Sequence, residues 1–147
     1  MGKNPTDRGK KGSKESVLVD GDGGPLSAVL AAANVNDHLL LEETIEAIVI
    51  ERPPPTPEAP QHLCLDADYD NPTGREAAAA GKYTPHIVPV KKEKRAQKHA
   101  RTKGQKSRRW VVERTLAWLC KCRGILVRYD KKDENYLGLI QFACALF

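Results

Sequence analysis

Residues 91–109, KKEKRAQKHARTKGQKSRR, hold ten Lys and Arg against the single acid Glu93, a net of +9. No packed interior accepts that density, because every charge taken from water must be paired or hydrogen-bonded to repay its desolvation. The block therefore divides the chain into two parts that have to meet without it, and it runs either through solvent or along a polyanion. Lys91, Lys92, Lys94, Arg95, Lys98, Arg101, Lys103, Lys106, Arg108 and Arg109 could neutralise phosphates. The block has no aromatic residue to stack on bases, so any contact it makes is to a nucleic-acid backbone.

The remaining charge is as uneven. Residues 1–14 carry a net +4, residues 15–90 hold thirteen acids against three bases for a net −10, and residues 110–147 carry +2. The overall +5 on 147 residues is the residue of these opposed segments. At 40% hydrophobic the chain can fill one modest core. No apolar run approaches the ~18 residues of a membrane span, and no apolar stretch follows the basic opening, so neither an anchor nor a secretory signal is expected. Four cysteines are too few for a disulfide scaffold.

Residues 15–20 (ESVLVD) and 25–30 (PLSAVL) flank Gly21-Asp22-Gly23-Gly24, which reads as an antiparallel hairpin rather than a nucleotide loop, since no helix opens on those glycines. Asn36-Asp37 offers a cap to an amphipathic helix over 37–50, with Glu42, Glu43 and Glu46 outward. ERPPPTPEAP ends it in an extended linker. Residues 61–66 (QHLCLD) read as a buried strand and 73–82 as a helix capped by Thr73 and stopped by Gly81. Residues 84–90 are an edge strand with Pro85 and Pro89. After the basic block come a helix over 107–123, a strand or extended connection over 125–129, and an apolar last helix over 134–147 capped by Asp133. This order is that of an α/β fold with a mixed sheet and flanking helices.

Three acids crowd the end of the 61–66 strand: Asp66, Asp68 and Asp70. A carboxylate at the C-terminal end of a strand faces the crevice where α/β folds keep ligands, and several oxygens together suit Mg²⁺. A solvated turn with a helix cap accounts equally for Asp68 and Asp70. Glu113 is the other anomaly. On a helical wheel it falls inside the apolar arc of Trp110, Val112, Leu116, Ala117, Leu119 and Cys120. A lone acid there needs either a metal or a salt bridge, for which Arg109 stands one turn away. Cys120-x-Cys122 lacks zinc-ligand spacing, and His38, His62, His86 and His99 are scattered, so no zinc site is expected.

Taken in order, NPTDRGKKGSK, LVDGDGGPL, AANVND, LCLDADYDNPTGREA, YTPHI, RRWVVERTLAWL, RGILVRYDKK and NYLGLIQFACAL span nearly the whole chain. In these stretches the sequence resembles the C-terminal half of a bacterial insertion-sequence transposase of the DDE type, from the group often encoded in two overlapping frames. The resemblance implies a ribonuclease H-like fold, a partial catalytic domain over 1–147: sheet and first helices over 14–90, basic loop over 91–109, C-terminal helices over 110–147. It implies an active site of two Asp and one Glu around Mg²⁺ or Mn²⁺, with the second Asp at Asp66 and the Glu at Glu113. The family's first Asp lies on a strand upstream of the NPTDRGK stretch. No residue here takes that position, because Asp20 and Asp22 belong to the hairpin turn. Asp68 departs from the family, which has a small residue there.

The implied activity is DNA transposition by metal-dependent strand cleavage and transfer at insertion-sequence ends. With one acid missing, it is expected only after joining to an upstream segment that supplies it. The partners so implied are insertion-sequence ends and target DNA, that N-terminal segment, and further copies of the chain in a homo-oligomer. The expected location is the bacterial cytoplasm, at the nucleoid. The competing reading is a truncated, non-catalytic DNA-binding protein or an inactive relic.

Overall fold

The hairpin at the start of the chain carries most of the architecture. In the computed structural model, which describes residues 1–5, 8–87 and 109–147, strand β2 (Lys11–Val19) pairs antiparallel with β3 (Pro25–Ala32) from Ser13↔Ala32 to Val19↔Pro25, with a bulge at Leu18/Val19. The Asp20 carboxylate closes the turn by accepting from the backbone N–H of Asp22, Gly23 and Gly24, each at 2.8 Å. Burial works to raise its pKa, but those three donors outweigh it and hold the carboxyl below its usual value. A two-residue strand β1 (Gly2–Lys3) joins the other edge of β2 at Lys11 and Gly12. The expected hairpin is present and longer at both outer ends.

Side chains alternate along β2, so its two faces meet different partners. Ser16 and Leu18 face a layer formed by a 3₁₀ turn (Asp37–Leu40), helix α1 (Leu41–Glu46) and helix α2 (Pro72–Ala80). Thr44, buried on α1, donates its hydroxyl to the Leu40 carbonyl at 2.6 Å. Its Oγ1 therefore accepts from Ser16 at 2.7 Å, while Ser27 donates to the Thr44 carbonyl at 2.6 Å. Ser13, Glu15 and Val17 face the opposite layer: α3 (Arg109–Leu119), the single turn α4 (Arg123–Leu126) and α5 (Asp133–Ala145). Tyr136 on α5 reaches the Glu15 carboxylate at 2.6 Å and the Ile125 carbonyl at 2.7 Å. The Arg128 guanidinium hydrogen-bonds Ser13 and Asp133 and lies over the Tyr136 ring.

Strand β4 (His62–Leu65) pairs in parallel with β5 (Thr84–Ile87), joined through α2. Leu63 and Leu65 bury against Leu41, Ile45, Ala77 and Ala78, in the same cluster that Leu18 approaches from β2. Layer α1–α2 thus covers both pairs of strands from one side. A second core lies on the far side of the hairpin, where Ala28 meets Leu119, Ile125, Tyr136, Ile140 and Ala143.

Several expectations need correcting. The strands make two sheets, of three and two strands, not one mixed sheet, because among the described residues no strand joins β2 to β4. The first helix spends a turn as 3₁₀ and ends at Glu46, leaving Leu39 and Val49 exposed. The proline-rich segment folds back on itself, with Thr56 and Ala59 exchanging backbone hydrogen bonds. Helix α2 is capped by Asn71, whose Oδ1 accepts from Gly74 N–H at 2.9 Å; Thr73 lies inside it, after Pro72 in the first turn. The stretch expected to be extended over 125–129 instead begins with the helical turn α4. Lys132, not Asp133, occupies the cap of α5. The basic block over 91–108 and the last part, 88–90, of the edge strand expected over 84–90 lie outside the described residues, and Arg109 is the first residue of α3. Among the described residues no helix is long and apolar enough to cross a membrane.

Candidate active site

Asp66 follows β4 directly, at the strand's C-terminal end, as the sequence predicts. Its backbone is still extended (φ −76°, ψ 169°), so it continues the outward series His62, Cys64, Asp66 while Leu63 and Leu65 point inward. It caps a 3₁₀ turn (Ala67–Tyr69) by accepting from Ala67 N–H at 2.7 Å. Asp70 binds Arg75 in the first turns of α2, at 3.1 and 2.5 Å, which gives it the structural role that turn chemistry expects. Asp68 is exposed and lines an open cleft of about 410 Å³ with Lys14, Asn36, Asp37 and His38. Lys14 is held there by Asp37 and the Val35 carbonyl, each at 2.9 Å.

Tyr69 reports the charge at this end of the strand. Burial, and then the carboxylates of Asp37, Asp66 and Asp68, push its phenol up to about 12, because ionisation would add a negative charge to a partly desolvated acidic neighbourhood. The turn that carries these acids is tightly seated: a Cβ on Gly74 would stand 2.6 Å from the Tyr69 carbonyl oxygen.

Glu113 is exposed on α3, which corrects the buried-stripe reading. The inward line is Val111, Thr115 and Leu119 at four-residue spacing, while Trp110, Glu113, Arg114 and Ala117 face outward. The wheel missed this because Thr115 counts as polar, yet it is fully buried with its hydroxyl donated to the Gly23 carbonyl at 2.7 Å. Arg114 adds a bond to the Asp22 carbonyl and packs its guanidinium against the Trp110 ring. Gly23 itself has φ +99°, and a Cβ there would meet Arg114 at 2.6 Å and Thr115 at 3.2 Å. The hairpin turn and α3 are therefore fitted to each other, and Glu113 rides on that joint.

Asp66 and Glu113 thus stand on separately anchored elements, each with an exposed carboxylate. Both are hard oxygen donors of the kind that Mg²⁺ takes. Among the described residues, however, no three His, Cys, Asp or Glu side chains form a group able to hold a metal ion. The ten basic residues expected at DNA fall outside the described residues, apart from Arg109, whose backbone opens α3.

Similarity to known proteins identifies the family of this α/β chain. The Transposase DDE domain family matches residues 2–147. The chain is also 34% identical over 152 residues to the candidate transposase of insertion sequence element IS402 from Burkholderia cepacia, an alignment covering 99% of this chain and 66% of that protein. No solved structure matches it. The chain belongs to the DDE transposase family, and it spans just under two thirds of that relative's length.

Proposed function

We propose that this chain is the larger part of a catalytic domain for DNA transposition, with a ribonuclease H-like arrangement completed by a further Asp-bearing strand. The observation that carries this reading is the position of Asp66, exposed at the C-terminal end of a parallel strand. Glu113 on the outward face of α3 is its partner. Support also comes from the outer edge of β2. Beyond Lys11 and Gly12, which pair with β1, its residues 13–19 have no strand partner on that side among the described residues. Unpaired strand edges recruit strands, and this edge is open to a further strand.

Asp66 and Glu113 are the residues that would hold Mg²⁺ or Mn²⁺, two of the three acids the chemistry asks for. When bound, such ions activate a water or 3′-hydroxyl nucleophile and stabilise the leaving oxygen of a phosphodiester. The protein's own part is placement: Asn71 and Gly74 fix the turn after Asp66, and Thr115 and Arg114 fix the helix of Glu113. Lys91 to Arg109 would bind the DNA backbone through ion pairs that release counterions, so affinity falls steeply with salt. The substrates would be insertion-sequence ends and target DNA, acted on by a homo-oligomer in the bacterial cytoplasm.

The test is nicking of terminal-repeat DNA in Mg²⁺. The 147-residue chain alone is expected to be inactive, and a fusion to an upstream Asp-bearing segment active. Asp66→Asn and Glu113→Gln should each abolish the fusion's activity without changing DNA affinity. Steady nicking by the chain alone would overturn the requirement for a third acid. A second reading, a non-catalytic DNA binder, rests on the basic block over 91–109 alone, with ten Lys and Arg against one acid. It predicts that the fusion is inactive too, with salt-dependent DNA binding intact.

A further inference from the structure

The sheet face that carries Asp66 also carries a pair of histidines that the transposition chemistry does not use. In the parallel register His62 stands opposite Thr84 and Cys64 opposite His86, so His62, Cys64 and His86 share the exposed face of β4–β5. The two imidazoles turn toward each other: His86 Nε2 lies 2.8 Å from His62 Nδ1, with ring centroids 4.8 Å apart and planes tilted by 51°. Two ring nitrogens at that distance cannot both carry hydrogen, so at least one directs its lone pair at the other ring.

We propose that His62 Nδ1 and His86 Nε2 form a bis-imidazole site for a borderline divalent ion of the zinc class. Neutral imidazole has two tautomers. With each ring carrying its hydrogen on the outward nitrogen, both inward nitrogens present lone pairs to the space between them. Zinc–nitrogen bonds of about 2.0–2.1 Å at a tetrahedral angle place two donor nitrogens roughly 3.3 Å apart. The observed pair needs to open by only about half an ångström, which small ring rotations at an exposed site supply. Imidazole selects Zn²⁺, Ni²⁺ and Cu²⁺ over Mg²⁺, which prefers oxygen. Because no three-residue group stands assembled among the described residues, the two nitrogens are the protein's ligands and water completes the shell.

The site is separate from the proposed catalytic one. Its ligands come from positions before Asp66 on the sheet: His62 precedes Asp66 by four residues, about 13 Å along an extended strand, and His86 stands opposite Cys64, two residues before it. Zinc bound there would clip β4 to β5 by side chains as well as by the backbone ladder.

The experiment is calorimetric titration of the full chain with Zn²⁺ in buffer containing excess Mg²⁺, repeated on His62→Ala and on His86→Gln. The glutamine can keep a hydrogen bond to His62 but is a poor zinc ligand. Each substitution is expected to weaken zinc binding more than tenfold. Each should also abolish the zinc-induced rise in Tm, while the metal-free far-UV circular dichroism is unchanged. If the native chain shows no zinc-dependent rise in Tm, or if either substitution leaves zinc affinity unchanged, the site does not exist as described.

Discussion

Replacing Thr115 by Val isolates the bond that seats the Glu113 helix. Thr115 has no exposed surface, and its hydroxyl donates to the Gly23 carbonyl at 2.7 Å; the Val111 carbonyl, at 3.3 Å, is the more distant alternative. Valine keeps the shape and removes the donor. Leaving a buried carbonyl without its partner costs about 1–3 kcal/mol, and burying a methyl in place of the hydroxyl returns about 0.8 kcal/mol. The net loss is about 1 kcal/mol, a fall in Tm of about 2–4 °C for a chain of this size. Thr115→Ser keeps the bond and deletes a buried methyl, at about 0.5–1.5 kcal/mol by analogy with Ile→Val. Urea denaturation gives both numbers, and hydrogen exchange locates them: Val should raise exchange in α3 more than Ser does. A Thr115→Val protein as stable as the native one, with α3 equally protected, would show that apolar packing alone positions this helix.

Three other outcomes follow from the geometry. Gly74→Ala should destabilise the protein despite alanine's better helix propensity, worth about 1 kcal/mol. The new Cβ meets a backbone oxygen at 2.6 Å, and overpacking of this kind costs about 1–3 kcal/mol; an unchanged or higher urea midpoint would refute the close approach. Tyr69, its phenol pushed up to about 12 from the usual 10, favours the folded state while protonated. Its contribution is complete below pH 10 and is lost as pH rises from about 10 to about 12, so Tyr69→Phe should flatten the alkaline loss of stability in that window. On the acid side, the Arg128 hydrogen bond holds the Asp133 carboxyl below its usual 3.8, although burial opposes this weakly. That contribution is present above pH 3.8 and is lost as pH falls below it; Asp133→Asn should reduce the acid dependence of the urea midpoint.

The parts of the fold that were legible in the sequence are those that local chemistry decides. Asp20 and the glycines after it demanded a hairpin, and the short apolar run over 61–66 marked a strand, although it is buried only at Leu63 and Leu65, with His62 and Cys64 exposed. Gly81 stopped α2 because little else ends an alanine run. The failures came where tertiary contacts override local preference. Ile125-Leu126 is β-prone, yet the Cys122 carbonyl accepts from both backbone amides and Ile125 is drawn into the core beside Tyr136, which makes a helical turn. Asn71-Pro72 was a stronger cap signal than Thr73, since proline suits the first helical position. The hydropathy wheel for α3 was turned by about one residue because a buried threonine satisfied by Gly23 reads as solvent-facing until its partner is known. The two histidines were scattered in sequence, and only the parallel register of β4 and β5 brings their rings together.

The same register explains why the site acids can be exposed without being loosely held. The α1–α2 layer closes one side of both sheets, so residues 62, 64 and 66 can turn only to the other side, where α3 and α5 cover the hairpin but not β4–β5. Asp66 is set by the turn that Asn71 and Gly74 secure. Glu113 is set by α3, which Thr115 and Arg114 tie to the Asp22–Gly23 corner of the hairpin. Among the described residues, the contacts that form these two anchors come from outside the basic block. Charge reversal within 91–108 should therefore weaken DNA binding and reduce its salt dependence, while leaving the stability of α3 and the Tyr69 titration unchanged. If those two changed together with DNA affinity, the block would be part of the scaffold that positions the acids, and the separation of grip from chemistry argued from these anchors would fail.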